Sequence, residues 1–248
     1  MEIVSLLLIG LIVGFFVISM GGGGAAIYLG VLTAVFHLAP AAATATSLVT
    51  ALPSLILGSF GYYRQHAIKF KIGNQMLLAT IPAVVVGSLL SPYIPESIYK
   101  WVVGLILVLL GINIMRNKQS KTAELPTHSR LKASSFGVLS GLMVGVAGLS
   151  GGGPILAGLL LLGLDTVSAV ATSSYVLVFM TIVGAIFHTV GGQVDWHAGI
   201  GLMIGALIGA AIAPYIMKRF VGNSKNGGGK LKPVMGILLI LMGIKTIW

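Results

Sequence analysis

Apolar residues fall in ten runs, at 2–19, 24–37, 42–62, 72–92, 97–115, 132–149, 154–164, 166–190, 197–217 and 231–247. Most run for about 20 residues, the length at which a helix crosses the ~30 Å hydrocarbon core of a bilayer. A barrel would instead show alternating strands of about 10 residues, and the runs do not alternate. The pattern therefore predicts an all-α polytopic membrane protein. Two glycine clusters break it. Gly21, Gly22, Gly23 and Gly24 follow the first run, and Gly151, Gly152 and Gly153, followed by Pro154, follow the sixth. Each glycine costs a helix about 1 kcal/mol relative to alanine, so such a row ends it. The run at 154–164 that follows the second break is too short to span a bilayer at 1.5 Å per residue.

The runs also repeat. Ala43-Thr44-Ala45-Thr46-Ser47-Leu48 aligns with Ala169-Val170-Ala171-Thr172-Ser173-Ser174. The same register sets Gly58 on Gly184, Tyr62 on His188 and Phe70 on Trp196, and the glycine breaks correspond once three residues are inserted in the first half. Residues 1–115 and 132–248 read as two copies of one unit, joined by a basic linker at 116–131.

Composition agrees with a membrane location: 56% of the 248 residues are hydrophobic and 8% charged, against about 25% charged in a soluble domain. The net charge of +10 would suggest nucleic acid in a soluble protein. Here the bases sit in short clusters between apolar runs, which is how topology is set, and no nucleic-acid partner is expected. The absence of cysteine excludes disulfides, thiolate metal sites and a cysteine nucleophile. The first run opens on Glu2 in place of a basic segment, so it is expected to belong to the mature protein.

Charge also orients the two units. Arg64, Lys69 and Lys71 lie near 63–71, whereas the equivalent loop near 191–196 holds Asp195 and no base. Conversely, the loop at 92–96 has only Glu96, and its equivalent near 218–232 has Lys218, Arg219, Lys225, Lys230 and Lys232. Arg116, Lys118, Lys121, Arg130 and Lys132 surround the linker. The positive-inside rule places all three basic regions in the cytoplasm. Equivalent loops then lie on opposite sides, and the units are inverted. Each unit is expected to hold a helical hairpin broken at its glycines and three full spans, with both termini outside.

Inverted repeats with broken helices are the pattern of secondary transporters, whose breaks aim backbone N–H groups and helix dipoles at a ligand. Gly22, Gly23, Gly24, Gly151, Gly152 and Gly153 are the first site candidates, against the alternative of close helix packing, which suits isolated glycines such as Gly10, Gly14, Gly87, Gly104 and Gly205 better. Thr46, Ser47, Thr172, Ser173 and Ser174 can donate to an anion, or bond back to a carbonyl one turn earlier. His188 and His37 can bind an anion or carry a proton, or sit as interfacial residues near the outer surface. Glu2, Glu96, Glu124, Asp165 and Asp195 all fall at run ends or in loops. A chain without intramembrane acids is poorly equipped for proton or sodium coupling and suited to anions. Asp165 reads as the N-cap of the helix that starts at Thr166.

The paired glycine clusters, the Ala-Thr-Ser elements at 45–47 and 171–173, and Gly192-Gln193-Val194-Asp195-Trp196 resemble motifs of the TauE/SafE family of sulfite exporters and related permeases. The resemblance covers essentially the whole chain and is closer in the second half, because the first glycine cluster lacks the proline that usually follows it. It implies transport of small sulfur-containing anions such as sulfite, sulfonates or sulfoacetate, most readily by export. The other readings are an uptake permease of the same fold, a non-transporting subunit of a complex and a membrane-embedded enzyme. The enzyme is disfavoured by scattered histidines and acids. No cofactor or metal is expected. The expected partners are a small anionic substrate and the lipid bilayer, and a homodimer is compatible with the sequence.

Overall fold

The protein is described by a computed structural model at residues 2–19, 40–90, 129–147, 151–191 and 194–219, with isolated positions elsewhere. Every regular element in these segments is helical: α1 (Glu2–Ser19), α2 (Pro40–Arg64), α3 (Phe70–Leu90), α4 (Ser129–Ala147), α5 (Gly152–Leu161), α6 (Thr166–Gly191) and α7 (Trp196–Met217). Among the described residues four stretches are long and apolar enough to cross a membrane: Ala45–Arg64, Phe70–Leu90, Thr166–Thr189 and Trp196–Met217. The shorter apolar stretches are Leu6–Ser19, Ser134–Val146 and Gly152–Leu161. The chain is a multi-pass membrane protein. Expected runs 24–37, 97–115 and 231–247 lie outside the described residues apart from isolated positions, and α4 begins inside the expected linker, at Ser129.

Local chemistry fixes the element ends. Asp165 caps α6, its side chain accepting from the Ser168 amide at 3.0 Å. Asp195 does the same for α7, accepting from His197 and Ala198. At the far end of α5, Leu164 donates to the Leu159 carbonyl and Gly163 to the Leu160 carbonyl. Gly163 holds a φ of +91°, the left-handed turn that closes a helix and that glycine adopts without strain. The same closure ends α2 with His66, whose φ is +54°.

Side-chain size is arranged inside out. Ile200, Ile204, Ile208 and Ile212 recur every fourth residue of α7 and are exposed, as are Leu8, Ile12 and Phe16 on α1. In water such stripes would drive aggregation; against lipid they are the solvent-matched surface. The interior holds small residues instead. α1 packs most extensively on α7, and α4 on α3, while α2 faces α6. A Cβ added to Gly141 or Gly145 of α4 would strike the carbonyls of Thr80 or Val84 in α3. One added to Gly205 or Gly209 of α7 would strike those of Leu7 or Leu11 in α1. Gly10 and Gly14 are packed just as closely and Gly87 somewhat less so, its nearest neighbour atoms at 3.1 Å, as the packing reading of isolated glycines expects. Gly104 lies outside the described residues. Where lipid tails are as apolar as leucine, dispersion between closely approaching backbones holds helices together.

This packing decides the sign of a simple substitution. Gly→Ala in a helix gains about 1 kcal/mol from propensity, but overpacking costs about 1–3 kcal/mol, and a carbonyl in a neighbouring helix cannot swing aside. Gly145→Ala and Gly209→Ala should lower the thermal unfolding midpoint in detergent. Gly199→Ala, where the nearest atoms stand at 3.4 Å, should leave it unchanged or raise it.

Candidate functional site

The Thr-Ser elements sit where α2 and α6 face each other, and Thr46, Ser47, Thr172, Ser173 and Ser174 are all buried. Thr46 Oγ1 accepts a hydrogen bond from the Asp195 amide at 2.9 Å. Thr172 Oγ1 accepts from the Lys69 amide, also at 2.9 Å. Asp195 immediately precedes α7 and Lys69 immediately precedes α3. Each threonine thus holds the helix start of the opposite half. The register that sets Thr46 on Thr172 sets Lys69 on Asp195, so the two bonds are equivalent. Each hydroxyl spends its oxygen on a backbone amide and keeps its own proton to donate. Ser174 takes the local alternative and donates to the Val170 carbonyl at 3.0 Å; Ser47 and Ser173 are engaged too.

A second matched pair holds the helix ends that precede the glycine clusters. The Tyr62 hydroxyl donates to the Ile18 carbonyl at 3.3 Å, near the end of α1. His188 Nε2 lies 3.4 Å from the Val144 carbonyl and 3.2 Å from that of Gly145, near the end of α4. Tyr62 and His188 share a register position. The last carbonyls of a helix have no intrahelical partner, and at membrane depth no water is present to supply one. Carbonyls only accept, so His188 Nε2 carries the proton in this arrangement. The half-buried ring therefore braces the end of α4. His37, Gly22, Gly23 and Gly24 lie outside the described residues.

At the second break Gly151, Gly152 and Gly153 are buried, and α5 starts at Gly152. The Ser140 hydroxyl donates to the Gly151 carbonyl. A Cβ on Gly151 would meet Ser140 and Met180, so this glycine lets α4 and α6 close over the break. Pro154 stands in the first turn of α5, where its missing N–H costs nothing. The ten residues of α5 extend about 15 Å, roughly half the hydrocarbon thickness.

Several buried oxygens have no hydrogen-bond partner among the described residues: Ser19 Oγ, Thr50 Oγ1, Gln65 Oε1, Ser88 Oγ and Thr166 Oγ1. The Tyr28 hydroxyl, fully buried, interacts with the Ser54 side chain without reaching hydrogen-bond geometry. An unmade bond on a buried hydroxyl costs about 1–3 kcal/mol, which marks these atoms as places for water or a polar ligand. Sequence reasoning passed over them. Thr50 was within reach, since Thr46, Thr50 and Ser54 are spaced four residues apart on one face of α2. Ser19 and Tyr28 carried no such signal. Among the described residues no three His, Cys, Asp or Glu side chains gather to hold a metal. The interior offers hydroxyls, one imidazole and backbone dipoles, which can bind and orient a small ligand.

The family model described as Sulfite exporter TauE/SafE matches residues 6–246. The chain is 28% identical to the probable membrane transporter protein YdhB of Bacillus subtilis, over 85% of this chain and 86% of that one. It is 24% identical to the probable membrane transporter protein YunE of the same species, over 100% of this chain and 98% of that one. The probable membrane transporter protein YfcA of Escherichia coli K12 is 22% identical, over 94% and 85%.

The threonine bonds can be tested directly. Thr46→Val and Thr172→Val each leave a buried amide unpaired and should cost about 1–3 kcal/mol of stability. Hydrogen exchange should quicken at Asp195 in the first variant and at Lys69 in the second. Thr→Ser at either position keeps the oxygen and should preserve protection; equal loss in Ser and Val variants would mean that the methyl group, and not the hydroxyl, holds the contact.

Proposed function

The chain belongs to the TauE/SafE family of membrane transporters, and from that premise we propose that it carries small sulfur-containing anions, such as sulfite, sulfonates or sulfoacetate, outward across the cell membrane. It works as a secondary transporter and not as an enzyme. The observation that carries the reading is the presence of buried hydroxyls without hydrogen-bond partners, Ser19, Thr50, Ser88 and Thr166, in a protein whose described acids, Glu2, Asp165 and Asp195, stand at helix starts. Buried hydroxyl donors with no carboxylate among them suit an oxyanion, which needs hydrogen bonds, and suit a cation poorly.

The proposal includes the architecture. Residues 1–115 and 132–248 are inverted copies, each with a hairpin broken at its glycines, and Gly22, Gly23, Gly24, Gly152 and Gly153 approach the ligand. Support comes from the matched contacts: Thr46 with Thr172, Tyr62 with His188, and the paired packing of α1 on α7 and α4 on α3. Two related halves can rock against each other to open a shared space to either side. The membrane potential favours anion exit by about 2.3 kcal/mol per charge per 100 mV, which makes export the direction that needs no coupling ion.

Sulfite efflux from proteoliposomes tests the transport reading. Efflux should follow an imposed potential, be competed by sulfonates, and vanish in Gly152→Leu while that variant still inserts. No flux under a potential or a pH gradient, from correctly folded protein, would remove sulfite as substrate. Inversion has its own test, aided by a chain without cysteine. His66→Cys and His197→Cys replace exposed residues at register-related loops. A membrane-impermeant maleimide should label the first only from the cytoplasmic side and the second only from outside; labelling of both from one side rules out inverted halves.

A further inference from the structure

An open groove of about 300 Å³ runs along the outer surface where α2, α3 and α6 meet. Its walls are almost wholly apolar. Phe60, Tyr63, Phe70, Tyr175 and Phe179 form a continuous chain of rings with neighbouring centroids 5.2 to 6.4 Å apart. Its polar features lie together at one end. The Arg64 guanidinium stands over the Phe60 ring at 5.3 Å, exposed Lys69 and Lys71 flank Phe70 in the chain, and the Tyr175 hydroxyl donates to Asn74. Residues 56–74 contain no acid.

An aromatic rim alone is common at a membrane interface. The groove differs because its chemistry breaks the internal register. Phe60, Tyr63, Tyr175 and Phe179 correspond to Ile186, Thr189, Val49 and Pro53, and Arg64, Lys69 and Lys71 correspond to Val190, Asp195 and His197. Of the five rings only Phe70 has an aromatic counterpart, Trp196, and none of the three bases is matched by a lysine or arginine. A feature needed for helix packing would recur in both halves; one that reads the membrane would stay on one face.

We propose that this groove binds an anionic phospholipid, its acyl chain along the rings and its phosphate among Arg64, Lys69 and Lys71. Charge complementarity selects the occupant. Three cations without an acid beside them favour an anionic headgroup over a zwitterionic one, and the apolar trough beneath accepts a chain and would leave a soluble anion without contacts. The positive-inside rule sets the site in the cytoplasmic leaflet. Binding there would hold the start of α3, the segment whose Lys69 amide is tied to Thr172. The site is separate from the transport path, so it stands or falls independently of the substrate.

Native mass spectrometry of the full chain, released from detergent with equal dioleoyl phosphatidylglycerol and dioleoyl phosphatidylcholine, tests it. Each base near an anionic lipid contributes about fivefold in affinity. The wild type should therefore retain phosphatidylglycerol with a preference of about tenfold or more. The double variant R64Q/K71Q should bring that ratio close to one. Phe179→Ala should weaken retention of both lipids and leave the ratio unchanged. K218Q/R219Q, at the end of α7, should behave as wild type. Equal retention of the two lipids by the wild type overturns the proposal. So does an equal loss of preference in K218Q/R219Q, because the preference would then belong to overall charge. A lipid-free dimer that Phe179→Ala separates would assign the groove to a second copy of the chain and also overturn it.

Discussion

A backbone polar group at membrane depth has no water to turn to, and the rest of this structure follows from that constraint. An unbroken helix satisfies it internally. A helix that stops short does not, and this chain stops one between α4 and α5. Side chains from distant segments supply the missing partners. His188 reaches the carbonyls at the end of α4, Ser140 reaches Gly151, Tyr62 reaches Ile18, and Thr46 and Thr172 accept the amides at the starts of α7 and α3. Each bond links two elements, so the breaks are tied into the bundle.

The same bonds tie the two halves together. Thr46 lies in the first half and its donor in the second; Thr172 and Lys69 reverse that order. The most extensive packing also crosses between halves, α1 on α7 and α4 on α3, with glycines that bring backbone against backbone. Neither half could bury its own small-residue stripes alone. An interface built from close glycine and hydroxyl contacts has a small number of well-fitting arrangements.

Bases and rings are distributed differently from these contacts. Contacts that satisfy the backbone recur in both halves, while Arg64, Lys69, Lys71 and the rings of Phe60, Tyr63, Tyr175 and Phe179 have no counterpart of the same kind. The physical demands differ in kind: hydrogen-bond satisfaction is the same at either face of a bilayer, but charge is not, because the two faces differ in potential and lipid.

The sequence by itself determined what depends on composition and period. Runs of about 20 apolar residues become helices because no other open structure satisfies the backbone in lipid, and α1, α3, α6 and α7 fall within a few residues of the expected spans. Asp165 was legible as a cap because capping is local. The register linking Thr46 to Thr172 and Tyr62 to His188 was legible as well. The tasks of those residues were not. A threonine in an apolar run is chemically free to bind a ligand, bond its own helix or reach another segment, and the choice depends on which amide arrives from more than a hundred positions away. Only tertiary structure brings Lys69 to Thr172, sets His188 under α4, closes Ser140 over Gly151 and leaves Thr50 without a partner, because each outcome is fixed by packing between helices and none by the residue's neighbours in the chain.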